Sequence, residues 1–224
     1  MSIVLGRKSG GGGGSGGGVT SLDGLSGAVT LSAGTGITLT PAGQDIEIAS
    51  SASFPQPSTT FPGSPSDGDL ALIVDSTSAP TYSWMFRYDS GISGNNKWQC
   101  IGGAPKRAYV GTDQASSSTS YTDLATVGPS VTVPSPGVYQ VVYGCALRNS
   151  AVNGTRMAMK FGASAVTEDG LIYSDVAAYR SLASTSQESI AAGNLLIKAQ
   201  YRVDAGDGNW QKRWITVVPI AVEG

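Results

Sequence analysis

The sequence predicts an all-β protein. Only 13% of its 224 residues are charged, about half the share found in an average soluble domain, and Ser and Thr fill the polar positions instead. Short runs in which apolar and polar residues alternate follow one another between Gly- and Pro-rich turns, as strands do. No segment has the 3.6-residue period of a long amphipathic helix. We therefore expect a glycine-rich tether, a slim β shaft, a small aromatic β-hairpin unit and a C-terminal antiparallel β-sandwich or jelly roll.

Residues 1–18 are predicted to form a docking peptide followed by a flexible tether. Gly10 to Gly14 and the glycines after Ser15 cannot hold one backbone conformation unaided. An engineered linker would have the same composition, but MSIVLGRKS is not a recognisable tag, which favours a natural tether. The peptide before the glycines carries an apolar trio and two cations, and its candidate docking residues are Ile3, Val4, Leu5, Arg7 and Lys8.

Residues 19–50 contain strands that are too thin to build a core of their own. Each of three alternating runs carries only two large apolar side chains, and an isolated hairpin is marginal in water. Such strands become stable when identical chains bring the same residues to a shared axis, because oligomerisation supplies the missing core. We therefore predict a homotrimeric shaft whose axis is lined by Val29, Leu31, Ile37, Leu39, Ile46 and Ile48.

Residues 51–104 are predicted to contain a connector and a small aromatic unit. The connector, 51–66, is rich in Pro, Ser and Thr. In the unit that follows, 67–104, Trp84, Phe86 and Tyr88 share one face of a strand, and Trp98 lies on the next strand after a turn. Aromatic rings on facing strands are usually a core; a sugar-stacking platform is the alternative interpretation.

Residues 105–224 are predicted to form the β-sandwich or jelly-roll head. Seven or eight strands are expected at roughly 8 to 15-residue spacing, starting with 121–126. The alternation is clearest where Ile197, Ala199, Tyr201 and Val203 share one face. The turns between strands carry the candidate surface-binding residues, which are Asn149, Asn153, Asp175, Asp207 and Asn209.

Charge and hydropathy argue against several classes of partner. The net charge is −2 and the isoelectric point is about 5.0, so no basic face predicts nucleic-acid binding. No apolar run approaches the roughly 20 residues of a membrane span, and membrane insertion is not expected. The N-terminus lacks the apolar core of a signal peptide, so we do not expect export by that route.

The sequence also argues against an enzyme. It contains no histidine, which excludes a Ser-His-Asp triad and a His-ligated zinc. Gly13 to Gly17 matches the GxSxG pattern, but it lies in the tether rather than between a strand and a helix. Three carboxylate pairs lie in turns, where such residues usually bond the backbone; a glycosidase pair or a Ca²⁺ site is the alternative for Asp67 with Asp69, Glu168 with Asp169, and Asp204 with Asp207. We expect no catalytic residue, metal or cofactor.

Two further motifs have structural explanations. Cys100 and Cys145 lie in apolar strand-like runs, which favours buried free thiols, with a single disulfide as the alternative. Asn153 to Thr155 fits the N-glycosylation sequon, but a hairpin turn explains the same residues.

The shaft segment resembles a sequence that recurs in tail fibres and minor tail proteins of double-stranded DNA bacteriophages. In that family a V-T-S-V-N-G-x-x-G-A-V-T-L opening leads into G-T-G-I-T-L-T. Here the corresponding stretches are Val19 to Gly24, Gly27 to Leu31 and Gly34 to Thr40. The aromatic unit is similar to a module in virion proteins of phages that infect actinobacteria. The head resembles the trimeric jelly-roll heads of phage fibres and C1q/TNF-type domains in fold only, for example at Pro136 to Tyr139.

The resemblance implies a virion structural protein that is made in the host cytoplasm and needs no signal peptide. It implies a homotrimeric tail fibre or minor tail protein that attaches to other virion proteins and contacts a host surface glycan or protein through its head. A capsid head fibre or decoration protein, docked by the N-terminal peptide, is the alternative within this class. A glycan-depolymerising tailspike is an alternative of another class, disfavoured because it usually needs a longer β-helix; a bacterial adhesin is disfavoured by the missing export signal.

Overall fold

The computed structural model describes residues 21–22, 25–26, 32, 37–42, 45–50 and 54–224, and its secondary structure there is entirely β. The predicted docking residues Ile3, Val4, Leu5, Arg7 and Lys8, and the shaft residues Val29 and Leu31, lie outside the described residues. No helix in the described segments is long and apolar enough to cross a membrane. The chain divides into two compact units, Met1–Phe54 and Pro55–Gly224.

The described strands of the first unit form two small antiparallel pairs. Strand β1 (Ser21–Leu22) pairs with β2 (Leu25–Ser26), and β3 (Ile37–Ala42) pairs with β4 (Asp45–Ser50). The second pair is a hairpin in which Leu39 lies opposite Ile48. It contains two of the three thin runs predicted from the sequence.

The second unit contains all remaining strands. They are β5 (Pro57–Ser58), β6 (Leu70–Val74), β7 (Ser83–Tyr88), β8 (Trp98–Gly103), β9 (Lys106–Val110), β10 (Gln114–Ser116), β11 (Ser130–Thr132), β12 (Gly137–Asn149), β13 (Thr155–Phe161), β14 (Val166–Ser174), β15 (Arg180–Ile190), β16 (Leu196–Val203) and β17 (Gly208–Val222). Except for the parallel pair β5–β6, neighbouring strands in this unit are antiparallel.

The head is a jelly roll by strand order. Its first sheet runs β9-β17-β12-β15 and its second sheet runs β11-β16-β13-β14. If β10 is set aside and the other head strands are counted from β9, these orders are 1-8-3-6 and 2-7-4-5, so the chain wraps around both sheets as in a double Greek key. This order confirms the predicted all-β sandwich or jelly roll. Alternate residues fill the core between the sheets, among them Tyr139, Val141, Tyr143, Met157, Met159, Ile197, Tyr201 and Ile215.

The aromatic strands extend the first sheet of the head. One edge of the long strand β17 pairs with β12, and its other edge pairs in turn with β10, β9 and β8. Trp84, Phe86 and Trp98 are buried, and Phe61, from the predicted connector, packs on Phe86 and Trp98 with ring centroids 5.1 and 5.0 Å away. The core interpretation of these aromatic residues is therefore confirmed.

The structure corrects the strand predicted at 121–126 and decides between the two interpretations of the cysteines. The strand predicted at 121–126 is absent, and only Thr122 bonds across to Tyr201. Asp123 instead turns its carboxylate to the ammonium of Lys198, 2.8 Å away, so this segment pairs with β16 at a single bridge and does not form a strand. Both cysteines are free thiols, and burial raises the pKa of Cys145 to about 12, which makes its thiol a poor nucleophile.

Candidate interaction surfaces

The hairpin β3–β4 has one apolar face, which is exposed to solvent. Residues directly opposite in an antiparallel pair share a face, and so do residues two positions apart. Leu39 pairs with Ile48 and Pro41 with Ile46, so these four residues and Ile37 lie on the same side. The side chains of Ile37, Ile46 and Ile48 are 41%, 49% and 58% exposed. Thus the three predicted shaft isoleucines and Leu39 do form one surface.

The opposite face of the hairpin is more polar. Thr40 pairs with Glu47 and Thr38 pairs with Ala49, and all four of these residues are exposed. The hairpin is therefore amphipathic, although it buries neither face well. Two strands with a single apolar face are stable only when something packs against that face.

At one end of the jelly roll, three of the predicted binding loops meet. The amide N–H of Asn149 donates to the carbonyl of Val176 at 3.0 Å, and the N–H of Ser150 donates to the carbonyl of Asp207 at 3.0 Å. The side chain of Asn149 donates to the carbonyl of Ala205 at 3.0 Å. The loops after β12, β14 and β16 are thus tied together by hydrogen bonds and form one surface, the loop tip, comprising 149–154, 175–179 and 204–209.

The predicted binding residues do not all face outward at this loop tip. Asn149 is 0% exposed and ends strand β12, so its prediction as a surface contact is wrong: its amide is used to hold the loops. Asn153 is half-buried, and Asn209 is half-buried within β17. Asp175 and Asp207 are exposed and can reach a partner.

Val152 is the exposed apolar residue of the loop tip that the sequence did not reveal. Its side chain is 62% exposed, and its backbone φ is 57°. A β-branched residue rarely adopts this left-handed conformation, which costs roughly 1–2 kcal/mol. Residues held in strained backbone conformations cluster at functional sites such as ligand-binding loops. No composition or spacing signal predicts such a φ.

An ion-pair network on the second sheet holds the loop that follows β16. Arg156 and Arg202 lie directly opposite each other on β13 and β16. Asp204 accepts from both of them, at 2.9 and 3.1 Å, and Glu168 accepts from Arg202 at 3.1 Å. The hydrogen bond from Arg156 lowers the pKa of Asp204, and the hydrogen bonds from Arg202 and Tyr121 lower the pKa of Glu168. The carboxylates thus offset the repulsion between two adjacent guanidinium groups.

A second polar cluster supports the loop tip from the first sheet. The guanidinium of Arg148 lies 4.8 Å from the ring centroid of Tyr179, within the range of a cation–π contact. The Tyr179 hydroxyl donates to Asp113 at 2.7 Å. Tyr179 therefore holds the end of the 175–179 loop between a cation and a carboxylate.

The outer face of the first sheet has no charged side chain in the central rows of β15, β12 and β17, and on β9 the guanidinium of Arg107 lies 5.8 Å from the ring centroids of Tyr109 and Trp214. Trp214 lies over Gly144, since a Cβ there would be 2.6 Å from its ring. Cross-strand rows run over β15, β12 and β17 in the order Ala183, Gly144, Trp214; Thr185, Val142, Thr216; and Gln187, Gln140, Val218. At the β9 side of this face, Tyr109 is 56% exposed. Depletion of charge is the compositional mark of the centre of a protein interface.

Four residues of the predicted carboxylate pairs have defined partners: Asp67 and Asp69 bind backbone N–H groups, and Glu168 and Asp204 bind arginine groups. Asp67 accepts from the Ser90 N–H at 2.9 Å, and Asp69 accepts from the Ser66 N–H at 2.8 Å, as the turn interpretation predicts. Within the described ranges, no three His, Cys, Asp or Glu residues gather closely enough to hold a metal ion.

Comparisons with known proteins return weak structural likenesses. No protein-family model matches the chain, and no curated protein matches it. The chain is similar to the structure of Eiger TNF from S. frugiperda, with a TM-score of 0.39 and 16% identity over 54% of this chain and 95% of that one. It is also similar to PRD1 vertex protein P5, with a TM-score of 0.29 and 17% identity over 85% of each chain. Likenesses at these TM-scores carry no functional inference.

Proposed function

We propose that the protein is a structural component of a bacteriophage virion, a homotrimeric fibre whose head contacts the host cell surface. It acts by assembly and binding and not by catalysis. The sequence resemblance of residues 19–50 to phage tail fibres supports the class. The main observation that supports assembly into a trimer is the exposed apolar face of hairpin β3–β4.

Threefold self-association explains why that face is apolar. Ile37, Ile46 and Ile48 are each more than 40% exposed, which is unfavourable for a hairpin of only two strands. Three copies that bring these faces to one axis would remove the isoleucines from water and give the hairpin a core. The outer face of the first sheet, which carries no charged side chain in the central rows of β15, β12 and β17, supports a second area of contact between the heads.

Light scattering coupled to gel filtration tests the assembly. We expect the full chain to elute at three times its 22.8 kDa mass. Ile48→Asp places a charge on the apolar face and should shift the protein toward monomer. Thr38→Asp places the same charge on the opposite face of the same hairpin, across from Ala49, and should leave the trimer intact. A monomeric wild-type chain, or equal effects of the two variants, would contradict the proposed axis.

The loop tip is the part of the head that we propose meets the host surface. It combines the exposed apolar Val152 with the exposed carboxylates of Asp175 and Asp207, on a base that Asn149 holds rigid. Adsorption of particles carrying Val152→Asn, Asp175→Asn and Asp207→Asn together should fall relative to wild type. Wild-type adsorption by this triple variant would remove the loop tip from the proposal.

A capsid head fibre or decoration protein is the second candidate, because the predicted docking peptide, Ile3 to Lys8, suits a capsid surface as well as a tail. Electron microscopy of particles labelled with antibody to this chain separates the two. Label at the tail supports the tail fibre, and label over the capsid supports the head fibre.

A further inference from the structure

A groove of about 350 Å³ lies where the edges of the two head sheets meet beside the aromatic strands. Strand β9 is an edge of the first sheet and β11 is an edge of the second. Both contribute to the lining, together with the loop between β6 and β7. The volume is at the lower end of the range for small-molecule sites in proteins. The groove is separate from the loop tip, so it is not explained by the proposed host contact there.

The strands direct hydroxyl groups into this groove. Ser130 and Thr132 are exposed at alternate positions of β11, while Val131 between them is buried in the core. On the opposite wall, Asp75 follows the last residue of β6 and accepts from the Thr81 N–H at 2.7 Å. One wall thus offers hydroxyl groups, which both donate and accept hydrogen bonds, and the other offers a carboxylate, which only accepts.

Tyr82 supplies a small aromatic contact surface, since it is only 8% exposed. Its ring stacks on Trp84 with centroids 4.0 Å apart and planes 19° apart, and the Trp84 indole N–H donates to the carbonyl of Ala104 at 2.8 Å. Because Trp84 fixes the position of the Tyr82 ring, little side-chain entropy is lost when a ligand packs against Tyr82.

Lys106 is the one cation that lines the groove, and the one carboxylate there, Asp75, is not paired with it. Asp75 is engaged by the backbone N–H and the hydroxyl of Thr81. Lys106, the first residue of β9, is half-buried and belongs to none of the ion pairs found among the described residues. Its ammonium group has three donors and no acceptor. A ligand with an anionic group beside several hydroxyls matches this arrangement.

We propose that the groove binds an acidic saccharide, with the anionic group of the sugar on Lys106 and its hydroxyls on Ser130, Thr132 and Asp75. The sugar packs against the exposed part of the Tyr82 ring. A neutral sugar lacks the partner for Lys106, and a simple anion lacks the partners for the hydroxyl groups. The site goes beyond the proposed fibre function and does not depend on it.

Saturation-transfer NMR on the full chain tests the site, because it observes the ligand whatever the size of the assembly. The observed probes are glucuronic acid and glucose, and inorganic phosphate, which has no observable protons of its own, is added as a competitor. We expect glucuronic acid to bind more tightly than either of the others. Lys106→Gln should weaken glucuronic acid binding by about fivefold, the upper range for one solvent-accessible ion pair. The double variant Lys106→Gln, Thr132→Val should bind glucuronic acid more weakly still.

Lys97→Gln is the matched control, since Lys97 is also half-buried and outside every ion pair of the described residues but lies before β8, outside the groove lining. It should bind glucuronic acid like wild type. No saturation transfer to glucuronic acid, or equal loss in both lysine variants, would overturn the site. Phosphate competing as strongly as glucuronic acid would overturn the saccharide assignment. Because binding is measured on the isolated chain, neither failure bears on the fibre proposal.

Discussion

Asn149 shows how one buried amide organises a binding surface. Its side chain donates to Ala205 and Thr155 and accepts from the Ala151 N–H, at 3.0, 3.1 and 2.9 Å. It therefore satisfies backbone groups from two of the three loops at the loop tip, while its own N–H reaches the third. A polar side chain that is fully buried and fully bonded specifies a conformation, because leaving any partner unsatisfied is costly.

Replacing Asn149 should therefore destabilise the head. Asn149→Ala leaves the Ala205 carbonyl and the Ala151 N–H without their partners, and we expect a loss of about 1–3 kcal/mol in the free energy of unfolding. Chemical denaturation measures it. Asn153→Ala, half-buried in the same loop, should change stability by no more than about 0.5 kcal/mol. Equal losses in the two variants would show that Asn149 has no organising role.

Replacing Val152 should have the opposite effect and increase the stability of the protein. Asn tolerates the left-handed conformation that Val152 adopts at φ 57°, so Val152→Asn should stabilise the protein by about 0.5–1 kcal/mol. The control is Val127→Asn at another exposed valine, which is absent from the positive-φ residues of the described chain and should show no gain. Thermal unfolding of the two variants measures the difference. A loss of stability in Val152→Asn would mean that the valine packs against something.

Some residues could not be predicted from alternation alone. Arg213 occupies an inward position of β17 and is fully buried, where its guanidinium donates to the carbonyls of Thr126 and Gly128 at 3.2 Å. A sequence pattern assigns such a residue to the solvent side, since charged residues are almost never buried without partners. The Arg213 guanidinium also donates to the side-chain oxygen of Gln114 at 2.9 Å. All of these partners are far away in the sequence, and no sequence pattern reveals them.

At the scale of elements, the sequence predicts individual strands, but it does not predict which segments they contact in the folded protein. The alternation of 195–203 and 155–161 predicts β16 and β13 because the period-two pattern is a local property. The predicted strand at 121–126 failed because Asp123 is drawn to Lys198 on β16, a contact set by tertiary structure. Likewise, the loops were predicted individually, but their convergence at Asn149 depends on the jelly-roll order of β12, β14 and β16.

The ion-pair network between β13, β14 and β16 makes stability depend on pH in the acid range. The folded-state pKa values of Glu168 and Asp204 lie below their ordinary values, so the folded protein binds fewer protons than the unfolded chain in that range. The stabilisation is present above the ordinary carboxyl pKa of about 4 and is lost as pH falls through the lower folded values.

The melting temperature should accordingly drop between about pH 5 and pH 3. A Glu168→Gln, Asp204→Asn double variant should start lower at neutral pH and lose less on acidification, because its amides do not titrate. Differential scanning calorimetry across this range measures both slopes. The matched control is Asp175→Asn, an exposed carboxylate outside the network. A double variant that is as acid-sensitive as wild type would show that the network does not govern the response.

At the scale of the whole molecule, the chain combines a unit that has its own core with strands that do not. The head and the aromatic strands share one sheet through β17 and bury Trp84, Trp98, Tyr139 and Trp210. Fully burying a large apolar side chain contributes roughly 1.5–3 kcal/mol, so this unit has ample stabilisation of its own. The hairpin β3–β4, in contrast, leaves its isoleucines exposed.

The fragment 55–224 should therefore fold without the rest of the chain. It coincides with the compact unit Pro55–Gly224 and keeps Phe61 and the whole of β5, which pack against or pair with the aromatic strands. We expect a cooperative thermal transition within a few degrees of the full chain, measured by circular dichroism at equal concentration. A shorter fragment, 105–224, is the control. It removes Trp84, Phe86 and Trp98 and the pairing of β8 with the end of β17, so it should melt at a clearly lower temperature. If the two fragments melt together, the aromatic strands are an appendage of the head and not part of its folding unit.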